Sequence, residues 1–260
     1  MEYRNILVEV ENGIAVLTFN RPKVLNAMNM ETALELSNAI EKYKEDENVK
    51  VVILTGAGDK AFVAGADINE FKGKSPREIM KFTELGHSAL RLMETMEKPT
   101  IAAVNGYALG GGLEISMACD VRFASEKARF GQPEILLGLI PGWGGTQRLA
   151  RLIGIGRAKE LVMSGEQITA QRAYEMGLVN RVFPAEQLMA ETKKLAQKLA
   201  GLPLFAIKMA KYAINYGYDL ALDNANSLEI QCMSQCFSTQ DLKEGVEAFL
   251  EKRKANFVGK

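Results

Sequence analysis

An α/β fold built largely on parallel strands is what this sequence predicts, and three observations predict it. VVILTG (51–56) and TIAAVNG (100–106) are continuous apolar runs closing in glycine, the pattern of strands buried on both faces. Segments whose apolar residues recur at helical period separate such runs, as in βαβ units. The last third, from Ala185 to Phe257, keeps the helical period and carries almost no strand signal. In folds of this class the functional loops lie at the C-terminal ends of the strands.

ILVEV (6–10) and IAVLTF (14–19) read as strands joined at Asn12-Gly13, a dipeptide that favours a two-residue hairpin turn. From Met30 to Tyr43, the residues Ala33, Leu34, Leu36, Ile40 and Tyr43 recur as on a helix. The strand VVILTG follows, and FVAGADI (62–68) reads as a small-residue turn. EIMKFTELGHSALRLMETM (78–96) has helical spacing, which makes His87 a surface or partly packed helix residue. TIAAVNG runs into NGYALGGGLEISMACD (105–120), where the helix-forming LEISMA places Gly110, Gly111 and Gly112 at a helix N-terminus. VRFAS (121–125) and LVNRVF (178–183) are further short strands. The helical tail breaks near Gly201-Leu202-Pro203 and at Gly217, so the chain divides into a core over 1–200 and a helical region over 201–260. That tail suits a lid, a packing layer or an oligomerisation module. No internal repeat appears, which excludes solenoids.

Composition removes several function classes. The 260 residues are 47% hydrophobic and 25% charged, in the range of globular proteins. Thirty-two basic residues balance 32 acidic ones, which argues against a nucleic-acid partner held by a strong positive field. No apolar run approaches the ~18 residues of a membrane span, and MEYRNILVEVENG lacks a signal-peptide apolar core; the expected location is cytoplasmic. Cys232 and Cys236 share a helix face, but no further soft ligand lies nearby, so no metal site is expected and the three cysteines suit reduced thiols. With one histidine, acid–base chemistry falls to carboxylates.

Two carboxylates stand at apolar addresses beside glycines. Glu114 follows the three glycines in the first turn of a helix whose other residues are nearly all apolar. Glu134 follows Pro133 and precedes ILLGLI. An acid in such surroundings must be paired, hydrogen-bonded or protonated, and raised pKa values suit acid–base work. A first-turn glutamate favoured only by the helix dipole is the alternative for Glu114, and tight strand–helix packing is the alternative for the glycines. The glycine run matches neither a Walker-type loop nor GxGxxG; unpaired N–H groups at its helix start favour developing negative charge.

Taken in order, NRPKVLNAM (20–28), AGADI, AAVNGYALGGGLE, FGQPE, PGWGGTQRL and the closing EKRKANF (251–257) resemble the enoyl-CoA hydratase/isomerase (crotonase) family, especially its short-chain hydratases, nearly end to end. The resemblance implies a spiral of ββα turns with a C-terminal helical region that builds homotrimers, often paired into hexamers. It implies an acyl-CoA thioester substrate, no metal, and no cofactor beyond the coenzyme A of the substrate itself. By motif it puts the two oxyanion-holding N–H groups on Ala66 and Gly111, the paired acids on Glu114 and Glu134, and a water-holding backbone on Gly142. It places Lys23 and Leu25 in the CoA-contact loop, Ala64, Asp67 and Ile68 among the acyl-CoA contacts, Trp143 at the acyl pocket, and Lys252 on a tail that reaches a neighbouring subunit's CoA, with solvated surface lysine as the alternative for Lys23 and Lys252. Asn69 departs from the lysine some members carry there, leaving that phosphate contact to another group such as Lys72. The glutamate pair favours hydration over double-bond isomerisation. An enoyl-CoA isomerase, and a non-enzymatic RNA-binding relative disfavoured by the neutral charge, are the rival readings.

Overall fold

The computed structural model describes residues 3–259. Two sheets run through it. The larger contains β1 (Ile6–Glu11), β2 (Ile14–Phe19), β3 (Val51–Gly56), β5 (Thr100–Val104), β7 (Val121–Ser125) and β10 (Arg181–Phe183), side by side in that order. The smaller contains β4 (Ala61–Ala64), β6 (Tyr107–Leu109), β8 (Arg129–Gly131) and β9 (Gln167–Thr169). β1 and β2 form the expected antiparallel hairpin, with Asn12 and Gly13 both at positive φ. From β2 to β10 every neighbouring pair in the larger sheet is parallel, as are β4–β6 and β6–β8 in the smaller one.

The chain therefore climbs as a spiral. β3 gives way to β4 and then to helix α2 (Pro76–Thr95); β5 gives way to β6 and then to α3 (Gly111–Ala118). β7 and β8 repeat the step and lead to α4 (Gly145–Ile153), α5 (Ile155–Ser164) and α6 (Ala170–Glu175). Each turn contributes one strand to each sheet. β3 and β5 are buried along their whole length because both faces of the larger sheet are covered. One face meets the main core, including Phe62, Leu90 and Phe130; the other packs Val51, Ile53 and Ile101 against Leu188 and Ala196 of α7 (Leu188–Ala200).

Helix α1 (Met30–Glu45) starts where Asn29 accepts the N–H of Thr32, and α2 starts with Pro76 behind a Ser75–Glu78 capping box. Beyond the break at Gly201–Pro203 come α8 (Leu204–Gly217), α9 (Leu222–Cys236) and α10 (Gln240–Leu250). The ammonium of Lys211 ties α8 to the spiral, donating to the carbonyls of Met93 and Lys98 and to Asp120. His87 is exposed on α2, as its spacing predicted.

Two strand expectations need correction. The segment 62–68 is more than a turn, since its first residues lie in β4 and pair in parallel with β6. LVNRVF shortens to Arg181–Phe183 because the N–H of Leu178 closes back on the carbonyl of Ala173 and that of Asn180 on Arg122.

Candidate active site

Three neighbouring strands of the smaller sheet end at one cavity of about 600 Å³. β4 delivers Ala64, Gly65 and Ala66, β6 delivers Gly110 and Gly111, and the turn after β8 delivers Pro133 and Glu134. Glu114 and Gly142 join them on the lining, and Trp143, Phe71, Phe82, Leu136 and Ile140 supply its apolar surface.

The loop of residues 21–28 holds the first of these segments in place. The side chain of Asn26 donates to the carbonyls of Ala57 and Ala61 and accepts the N–H of Arg21. Leu25 offers its carbonyl to the N–H of Ala64; Met28 donates to Gly65 and accepts from Asp67. Arg21 donates to the Asp67 carboxylate at 3.0 Å. These bonds fix the backbone on either side of Ala66, whose own N–H has no acceptor among the described residues. The N–H of Gly111, at the first position of α3, is likewise without one, as is that of Gly142. Three unpaired N–H groups thus line a cavity that also holds two carboxyls.

The requirement for glycine in the Gly110–Gly112 run lies on either side of its centre. Gly110 sits at φ 51, ψ −122, and a Cβ there would stand 2.8 Å from Glu134 Oε1. A Cβ on Gly112 would overlap the carbonyl of Val63 in β4. At Gly111 the chain leaves room for a Cβ in ordinary contact with Trp143, so any need for glycine there comes from what occupies the cavity.

Glu114 is 2% exposed, in the first turn of α3, as its apolar neighbours foretold. Its Oε1 accepts the N–H of Trp143 at 2.7 Å and of Gly145 at 2.6 Å, the latter being the first residue of α4. No buried side-chain oxygen among the described residues lacks a partner, so Oε2, which accepts no such bond, reaches the cavity. Burial raises the Glu114 pKa to about 7, aided by the nearby Glu134 and opposed by the two N–H donors. Glu134 is half-buried on the 3-10 turn Pro133–Leu137, and burial pushes it up to about 7 as well. The amide of the fully buried Gln132 is assigned by its neighbours: only with its nitrogen toward Glu134 are both its ends satisfied, and so turned it donates to both carboxylate oxygens at 2.9 and 3.1 Å.

The cavity therefore gathers Ala64, Ala66, Ile68, Gly111, Glu114, Glu134, Gly142 and Trp143 from the residues singled out in the sequence. Lys23 and Leu25 lie exposed on the turn outside it, Asp67 is engaged with Arg21, and Lys252 is exposed beyond the end of α10. Asn69 bonds to Asp67, and Lys74, paired with Glu78, reaches the cavity rim. Gln132, Asn26 and Lys74 carried no signal of their own in the sequence, because each acts through a partner that only the fold supplies.

The model of the enoyl-CoA hydratase/isomerase family matches residues 9–260. The chain belongs to the enoyl-CoA hydratase/isomerase family. It is 50% identical to a crotonyl-CoA hydratase of Syntrophomonas wolfei over the whole of both chains. To a short-chain-enoyl-CoA hydratase of Clostridium acetobutylicum it is also 50% identical, covering 98% of this chain and 97% of the relative. Among solved structures, an enoyl-CoA hydratase from Bacillus anthracis superposes with a TM-score of 0.96 at 41% identity, covering 99% of this chain and all of the other. The spiral of this hydratase/isomerase family member is the crotonase fold expected from its motifs.

Proposed function

We propose that this protein is a short-chain enoyl-CoA hydratase, adding water reversibly across the double bond of a trans-2-enoyl-CoA such as crotonyl-CoA. The observation that carries the reading is a buried glutamate and a half-buried one facing one cavity with unpaired N–H groups. As water adds at C3, negative charge grows on the thioester oxygen; the N–H groups of Ala66 and Gly111 receive it, a contribution for which one donor is typically worth ~10²–10³ in rate. Glu114 as carboxylate takes the proton of a water held by Gly142, and Glu134 as carboxylic acid gives a proton to C2. No electrons leave the substrate, so the chain needs no redox cofactor. On this reading Lys23, Leu25 and the rim residue Lys74 contact the CoA phosphates and pantetheine, and Lys252 serves a neighbouring subunit.

The relatives' names support the short-chain assignment. No helix of the described residues is long and apolar enough to cross a membrane, and the three cysteines are free, which together suit the cytoplasm. The test is loss of the conjugated enoyl-thioester absorbance when the protein meets crotonyl-CoA without additives. Glu114→Gln and Glu134→Gln should each lose about 10²–10⁴ in kcat while unfolding at wild-type temperatures. Near-normal turnover in both variants overturns the assignment, and turnover of a 3-enoyl thioester alone marks an isomerase.

A further inference from the structure

Gly86 lies in the middle of the 20-residue helix α2, where glycine is disfavoured by its backbone entropy. It is buried, and the reason for the missing side chain stands opposite. A Cβ on Gly86 would overlap Cε2, Nε1 and Cδ2 of Trp143. The indole rests on bare helix backbone there, while its six-membered ring carries Cε3 and Cζ3 to within 3.5 and 3.6 Å of a Cβ position on Gly111. Phe82, one turn earlier on α2, packs its ring 5.2 Å from the indole, and Phe71 packs 6.1 Å from Phe82. All three aromatics line the cavity, and Trp143 is 4% exposed.

We propose that Gly86 is a specificity-determining residue: by leaving a seat for the Trp143 indole on α2, it makes that ring the end wall of the acyl pocket and limits the substrate to short chains. The proposal rests on the hydratase reading, since it takes the cavity as the acyl site. Its geometry is simple. An indole lodged between Gly86 and Gly111 fills the space behind the carbonyl-binding N–H, where a longer chain would run. A methyl on residue 86 evicts the ring into the cavity; a smaller side chain at 143 vacates the space instead.

Gly86→Ala, Trp143→Leu and the double variant, assayed on four-carbon and ten-carbon trans-2-enoyl-CoA, test this. Trp143→Leu should raise the ten-carbon to four-carbon ratio of kcat/KM by at least about tenfold, whereas Gly86→Ala should cut four-carbon kcat/KM by a similar factor. The double variant should recover activity relative to Gly86→Ala and keep the long-chain preference. Thermal unfolding supplies a readout independent of turnover. Gly86→Ala should lower Tm in the wild-type background and raise it in the Trp143→Leu background, where only helix propensity is left. Trp143 is the sole tryptophan, so Gly86→Ala should also red-shift the intrinsic emission. Unchanged chain-length ratios overturn the proposal, as does a Gly86→Ala effect on Tm of the same sign in both backgrounds. Should the wild type hydrate no enoyl-CoA, the hydratase reading fails, and the relative binding of butyryl-CoA and decanoyl-CoA to the same variants still decides the wall, equal ratios sinking it.

Discussion

At Glu114, one oxygen is held by the N–H groups of Trp143 and Gly145 while burial and the neighbouring Glu134 push proton affinity upward. With both acids raised to about 7, the singly ionised pair is the dominant form near neutrality, and kcat/KM should describe a bell centred near pH 7. A flat profile between about pH 5 and pH 9 would contradict paired acid–base work. The same shifts act on stability. An unfolded glutamate ionises near 4.5, so between 4.5 and about 7 the folded chain binds more protons than the unfolded one. The contribution is complete below the lower value and is lost as pH rises through the upper. The decline of Tm across that window should flatten in Glu114→Gln; an unaltered slope would place the effect elsewhere. Gln132 donates to the ionised form of Glu134, so Gln132→Leu should shift one limb of the bell upward in pH as well as lowering kcat. Both glutamates were legible in the sequence because an acid inside an apolar run is costly to leave unexplained. Gln132 was not, since a glutamine beside a proline carries no such penalty, and its partner appears only when the turn after β8 folds.

The glycine-rich turn shows what an element adds to its residues. At Gly110, φ 51 with ψ −122 is a conformation that side chains resist, and the space for one is taken by Glu134. Gly110→Ala should destabilise the fold by ~1–3 kcal/mol and displace Glu134, giving a kcat loss larger than any change in KM. Gly111→Ala meets only ordinary contacts within the chain, so it should unfold near the wild-type temperature while losing turnover. Equal stability losses in the two variants would remove the distinction. The helix start and the buried strands β3 and β5 were readable, having six and five buried residues in a row. The strands β4, β6, β8 and β9 were not: at three or four residues they are shorter than any alternation needs to register. They form only because neighbouring strands complete their ladders, in parallel from β4 to β8 and antiparallel between β8 and β9.

For the whole molecule, surface area points to assembly. The chain exposes 14124 Å², whereas a compact monomer of its mass exposes about 11,300 Å². Much of the excess belongs to the tail: α8 buries Met209 alone and α9 Cys232 alone, while Ile214 is 69% and Phe249 81% exposed. Apolar helices left standing off a core suit the trimer or pair of trimers that the family resemblance implies; on that expectation sedimentation should return about three or six times the chain mass at micromolar concentration. A stable monomer there would contradict it. The periodicity of residues 185–257 made the helices legible, but not their partners, which lie outside one chain. The three parallel strands that open on the cavity have a consequence for how such a chain diverges. The N–H groups of Ala66 and Gly111, proposed to hold the thioester oxygen, each lie two residues past the end of a strand in the paired ladder of β4 and β6, whereas Glu134 lies on a separate turn that runs into an exposed loop. On the proposed roles, the turn carrying Glu134 can change without disturbing the strand ends that carry Ala66 and Gly111, so a different reaction on the same class of thioester needs a new loop rather than a new scaffold.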